Sequence, residues 1–283
     1  MNRLLYSILL LCIGIIWGIT ILVSPYSISQ MGTGLFLMSR FMAAYLVISI
    51  IYRGHLKHIS FHDISRGIIL GCILFVFILI QARALQNGAV LNYTRLLVFS
   101  CAVIPVLTMV IMKQRPSIVE ISAIILSCAG GICLGMSLRL EGVAGLLLLA
   151  LYVALTCSFV RKSRAEFLAA VQLAVATLCS LPLIGRDLVQ GIDLQAWLIL
   201  LFVSFAATAG AVVFLTKALS IISAAKSGCI LLTQVCVVEL ICIYSGMNPV
   251  DSRTTLGIVL ICIGCSLCLL PFKNPLSRNQ FLK

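Results

Sequence analysis

The sequence predicts an all-α integral membrane protein with ten transmembrane helices arranged as two inverted five-helix repeats. Three observations carry that expectation. The first is composition: 62% of the residues are hydrophobic and only 10% charged, with a mean hydropathy of +1.20. Soluble domains carry about 25% charge, and the uncharged runs here approach the roughly 20 residues that a helix needs to cross a bilayer. The second is an internal match. Arg83–Gly130, shifted by 134 positions, falls without a gap on Lys217–Gly264, with eight identities in 48 positions. Ala84, Leu85, Leu97, Val103, Ile124, Leu126, Cys128 and Gly130 recur as Ala218, Leu219, Leu231, Val237, Ile258, Leu260, Cys262 and Gly264, at the same points of the same apolar segments. The third is a bias of basic residues that alternates from one connection to the next, rich on one side and poor on the other.

Taken in order, the spans justify themselves. Leu4–Val23 is the first, expected to close at Ser24-Pro25; it is too long for the apolar core of a cleavable signal. Its Gly14 and Gly18 flank Trp17 and allow another helix to approach. Leu35–Tyr52 is the second and carries Arg40 inside it. A basic loop follows, with His55, His58, His62 and Asp63 at spacings too irregular for a metal site. Gly67–Leu85 is the third, ending in Gln81 and Arg83. The fourth, Val90–Met112, opens with Asn92, Tyr93 and Arg95 and is expected to kink at Pro105. The fifth, Ile118–Leu138, carries Ala123, Ser127, Gly131 and Gly135 at four-residue spacing, the mark of a packing face.

The second half repeats this plan. Its spans are Val143–Val160, Glu166–Ile184 with Gln172, Leu194–Thr216 with a small-residue centre, Ala224–Tyr244 with Gln234 and Glu239, and Thr254–Phe272. The repeats are assigned as residues 1–138 and 139–283. With the N-terminus inside, fourteen Lys and Arg fall on the cytoplasmic side and three on the opposite loops. Both termini are therefore expected in the cytoplasm and the chain in the inner (cytoplasmic) membrane. Five spans per half is an odd number, so the second half enters the membrane upside down, an arrangement suited to alternating access.

Several classes are disfavoured. The net charge of +12 is strung between apolar runs and reads as topology, so no nucleic-acid partner is expected. All 13 cysteines lie in apolar runs, unlike a disulfide framework, and Cys262, Cys265 and Cys268 read as small packing residues rather than metal ligands. The spans hold no His or Asp, which argues against an enzyme, and there is no nucleotide-binding loop. No cofactor or metal is expected.

Charged and amide side chains inside spans mark the candidate site, because a charge at the bilayer centre costs about 2.5–3.5 kcal/mol on insertion scales. Arg40, Gln81, Arg95 and Glu239 fall at a similar depth in the outer half, with Tyr93 at its rim, and are expected to line a central cavity. Arg40 either pairs with Glu239 or contacts substrate. Gln172 occupies the position in the inverted half that Arg40 holds in the first, Gln234 adds a second amide, and Trp17 and Tyr93 either stack on substrate or anchor the interface. Glu239, the one acid deep in a span, is the candidate for proton coupling. The excess of arginine points to a substrate with a carboxylate, a phosphate or a zwitterionic head.

The chain resembles the EamA-type branch of the drug/metabolite transporter superfamily. The resemblance rests on Ile16-Trp17-Gly18, Phe36–Phe41, Arg83-Ala84-Leu85, Pro105-Val106, the small-residue fifth helix, Ala218-Leu219 and the helix from Leu256 to Leu270. Two family patterns are replaced here, by Gln114-Arg115-Pro116 after the fourth helix and by Thr233-Gln234 in the ninth. The resemblance implies a secondary transporter of small metabolites such as amino acids, nucleosides, S-adenosylmethionine or drug-like ions. The expected function is thus alternating-access transport of an amino acid or another anionic or zwitterionic metabolite, as monomer or homodimer, with a proton as possible coupling ion. The alternatives are a lipid-handling scaffold that transports nothing and an exporter of organic cations.

Overall fold

The computed structural model describes residues 2–54, 61–185 and 191–270. Its helices are α1 (Asn2–Met31), α2 (Thr33–Ile51), α3 (Phe61–Gln86), α4 (Val90–Leu97), α5 (Ser100–Met112), α6 (Ile118–Leu134), α7 (Leu140–Val160), α8 (Ala165–Ser180), α9 (Leu194–Phe202), α10 (Ala211–Leu219), α11 (Ala224–Leu231), α12 (Thr233–Tyr244) and α13 (Ser252–Leu269). Helices α4 and α5 form one span and α11 and α12 another; a π-helical stretch, Val203–Gly210, joins α9 to α10. Among the described residues, nine helical segments are long and apolar enough to cross a membrane, and α6, at 17 residues, is the shorter tenth. The fold class is all-α and membrane-spanning.

Some boundaries move. Helix α1 runs through Ser24-Pro25 to Met31. A proline removes one backbone donor, and the turn beyond it is held from outside: the Ser27 hydroxyl donates to Ala196 O at 3.0 Å and the Tyr26 hydroxyl to Asp193. Asp193 also caps α9 through Ala196 N at 2.7 Å, and the Tyr26 hydroxyl, together with that backbone N–H, holds its carboxyl below the usual carboxylate range. The fifth span stops at Leu134, because Gly135 adopts φ +69° and turns the chain out of the helix. The fourth span is interrupted at Val98–Phe99, ahead of Pro105 rather than at it. His55, His58 and the C-terminal basic residues lie outside the described residues; His62 and Asp63 sit in the first turn of α3, where Asp63 pairs with Arg66 at 3.2 Å.

Polar bonds between loops establish which helix ends share a side. At the near end, where the chain begins, Arg66 donates to Lys162 O at 3.1 Å and Ser163 bonds Asp63. Lys217 meets Glu166 at 2.8 Å and lies over the Tyr52 ring, and Ser223 bonds Glu120. At the far end, Asn92 accepts from Ser137 N at 2.7 Å. Small residues allow the close contacts between the halves. A Cβ on Gly18 of α1 would stand 2.8 Å from Val237 Cβ on α12, and one on Gly71 of α3 would stand 2.7 Å from Gln172 O on α8. The α6–α13 contact is reciprocal: a Cβ on Gly130 would meet Gly257 O at 2.7 Å, and one on Gly264 would meet Ala123 O at 2.8 Å. Under the 134-residue shift, Gly264 corresponds to Gly130 and Gly257 to Ala123. The stripe on α6 therefore divides, with Ala123, Ser127 and Gly130 facing α13 and Gly131 facing Val98 and Phe99.

Candidate functional site

A central cavity lies among α1, α2, α3, α7, the π-helical stretch, α10 and α12, lined by Trp17, Thr20, Arg40, Phe41, Leu74, Phe77, Ile78, Gln81, Tyr152, Ala207, Thr208, Val212 and Gln234. Its volume is about 30 Å³, room for a few water molecules at most. Both halves of the chain contribute walls.

Arg40 is the charged group in this lining. It is 4% exposed, and its Nε donates to Thr208 Oγ1 at 2.7 Å. Its guanidinium carbon lies 6.0 Å from the centre of the Phe41 ring. Among the described residues no carboxylate comes within ion-pair reach of it, and its two terminal nitrogens make no hydrogen bond. The site that holds it is unusual backbone. In a π-helix the carbonyls drift from their usual partners; here the Thr208 hydroxyl donates back to Val203 O at 2.8 Å, and Ala207 O accepts the Trp17 indole N–H at 2.9 Å. Two side chains of the first half thus grip one irregular turn of the second.

Gln81 and Gln234 face the same cavity from α3 and α12. Gln172 stands behind it: the Tyr152 hydroxyl donates to Gln172 Oε1 at 3.0 Å, while Gln172 Nε2 is buried without a partner among the described residues.

Arg95, Glu239 and Tyr93 do not join them, contrary to the expectation of one common cavity, and the expected alternative of an Arg40–Glu239 pair does not form. Glu239 instead takes Arg95 in a two-pronged ion pair, at 2.6 Å from Nε to Oε1 and 3.1 Å from Nη2 to Oε2. Asn248 donates to Oε2 at 2.9 Å, and Arg95 Nη1 reaches Gly135 O at 3.3 Å. Helix α4 carries Arg95 toward the far-end loops because Tyr93, two residues earlier, turns the other way and packs on Gly145. The Tyr93 hydroxyl is buried and unpartnered.

A separate small apolar cluster is formed by Ile21, Leu85, Val238 and Cys242, with Leu22, Val90 and Leu91 against it. Ile21, Leu85 and Val238 stand four residues, one helical turn, beyond Trp17, Gln81 and Gln234 in the far-end direction.

Sequence reasoning missed Thr208, Tyr152 and Thr20. A lone Tyr deep in an apolar span was a readable signal for Tyr152; nothing in the sequence distinguished Thr208 from other small polar residues. It also missed Glu120, whose Ser117-x-x-Glu120 spacing is a legible capping box and whose bond to Ser223 across the near end is not.

Residues 140–270 match the model of the EamA-like transporter family. The second half of the chain is thus similar to that family. No curated protein matches the chain. A crystal structure of a protein with 15% sequence identity superposes with a TM-score of 0.71, over 93% of this chain and 95% of that one. That likeness concerns the fold alone, and it extends over both halves of the chain.

Proposed function

We propose that this protein is an EamA-type secondary transporter that moves a small anionic or zwitterionic metabolite across the cytoplasmic membrane by alternating access, with both termini inside. The observation that carries the reading is Arg40: a buried guanidinium in the wall of a cavity, with no carboxylate among the described residues to offset it. Burying an unpaired charge is costly, and an anionic ligand supplies the missing partner.

Alternating access is supported by the internal match. The span breaks at Val98–Phe99 and at Leu232, and these positions correspond under the 134-residue shift. Interrupted helices at matching places in two halves are the usual setting of a transporter site. The reciprocal α6–α13 contact supports a two-fold relation between the repeats. The cluster of Ile21, Leu85 and Val238, backed by the Arg95–Glu239 pair, then acts as the far-end gate. Glu239, the candidate for coupling, belongs to the pair that backs this gate.

The test places a cysteine at Gln81 in a background whose native cysteines are replaced by alanine or serine, and applies a membrane-impermeant thiol reagent to each side of reconstituted vesicles. Labelling from both sides is expected. Access from one side only, or from neither, overturns alternating access and returns the chain to the non-transporting scaffold reading.

A further inference from the structure

We infer that the cavity selects a carboxylate with an apolar body and no ammonium group, in preference to an amino acid or an amine. The inference rests on the proposed transport site and narrows its substrate class.

The charge balance of the lining is one-sided. Arg40 contributes a cation; the other polar lining residues are Trp17, Thr20, Gln81, Tyr152, Thr208 and Gln234, none of them acidic. Glu239, the acid deep in a span nearest in sequence to Gln234, is saturated by Arg95 and Asn248 and lies outside the lining. An ammonium group entering with a substrate would meet amide and hydroxyl oxygens and aromatic rings, with no carboxylate in the lining, beside an existing guanidinium. Removing an ammonium from water without a counter-charge is strongly unfavourable.

The geometry of Arg40 favours a carboxylate. Thr208 takes Nε, which fixes the plane of the guanidinium and leaves the two terminal nitrogens to donate as a parallel pair. That edge matches the two oxygens of a carboxylate. The apolar part of the wall is Phe41, Leu74, Phe77, Ile78, Ala207 and Val212, which can cover a hydrocarbon body once the cavity widens in the transport cycle.

Three probes with one carbon skeleton separate the possibilities: 4-methylpentanoate, leucine and 3-methylbutylamine, which carry respectively the acid alone, both groups, and the amine alone. Each is titrated against the purified full-length chain in detergent, read as the shift in melting temperature, with wild type and Arg40→Gln in parallel. The expected result is stabilisation by 4-methylpentanoate, an apparent affinity for leucine weaker by about tenfold or more because its ammonium is buried unpaired, and none for the amine. Acetate, with the same head and no body, is expected to bind more weakly than 4-methylpentanoate. Arg40→Gln is expected to abolish the 4-methylpentanoate shift while melting normally without ligand.

Leucine binding as well as or better than 4-methylpentanoate, binding of the amine, or no binding by any of the three overturns the inference. A 4-methylpentanoate shift that survives Arg40→Gln overturns it too. The transport reading falls separately, on the two-sided labelling of the Gln81 position.

Discussion

Arg40 and Arg95 are both arginines inside membrane-length helical segments, yet their surroundings differ. Arg95 has a carboxylate, an amide neighbour on that carboxylate and a backbone carbonyl; Arg40 has a threonine. The sequence could rank both as intramembrane charges but could not pair them, because partners 144 residues apart meet only through packing. The pair itself is testable. Glu239 is fully buried and Arg95 17% exposed at its side chain, so removing one partner leaves a charge with little water to reach. Arg95→Met or Glu239→Leu alone is expected to cost about 3–5 kcal/mol, and the double variant to recover most of that loss. Thermal unfolding of the four proteins in the cycle measures it; additive losses in the double variant would show that the two charges do not depend on each other.

At the scale of helices, glycine placement decides which elements touch. The α6–α13 contact brings backbone to backbone at Gly130 and Gly257, and again at Gly264 and Ala123. A side chain there meets a carbonyl that cannot move aside. Gly264→Leu and Gly130→Leu are each expected to destabilise by at least the roughly 1–3 kcal/mol typical of overpacking, and by similar amounts because their contacts correspond. Melting temperatures of the two variants check this, and a neutral effect of either would dissolve the reciprocal contact. Element boundaries were less legible. The four-residue stripe on α6 was readable as a packing face, but its division between α13 and the α4–α5 break was not. Periodicity marks a face and says nothing about which neighbour covers it. The π-helical stretch was likewise hidden, since Ser204, Ala206 and Thr208 fit an α-helix equally well by propensity.

For the whole molecule, the cavity is small, and Ile21, Leu85 and Val238 cluster one turn beyond its lining. The proposed cycle requires that cluster to part. A double variant, Ile21→Cys with Val238→Cys, joined by a thiol cross-linker in the cysteine-replaced background, is expected to prevent labelling from the far side at a reporter cysteine in the cavity and to leave near-side labelling intact. Far-side labelling that persists after complete cross-linking would place the gate elsewhere.

What the sequence determined by itself was the class of solvent and the all-α, membrane-spanning fold class. Bilayer thickness imposes a run length, and charge-poor runs satisfy it. Those properties are local, so they survive in one dimension. Tertiary structure decided which polar side chains share a cavity. It placed Arg40 against Thr208 from the other half, paired Glu239 with Arg95, and set Gln172 behind the wall against Tyr152. A charge inside a membrane is costly until something offsets it, and the identity of that partner depends on distances between helices that no spacing along the chain records.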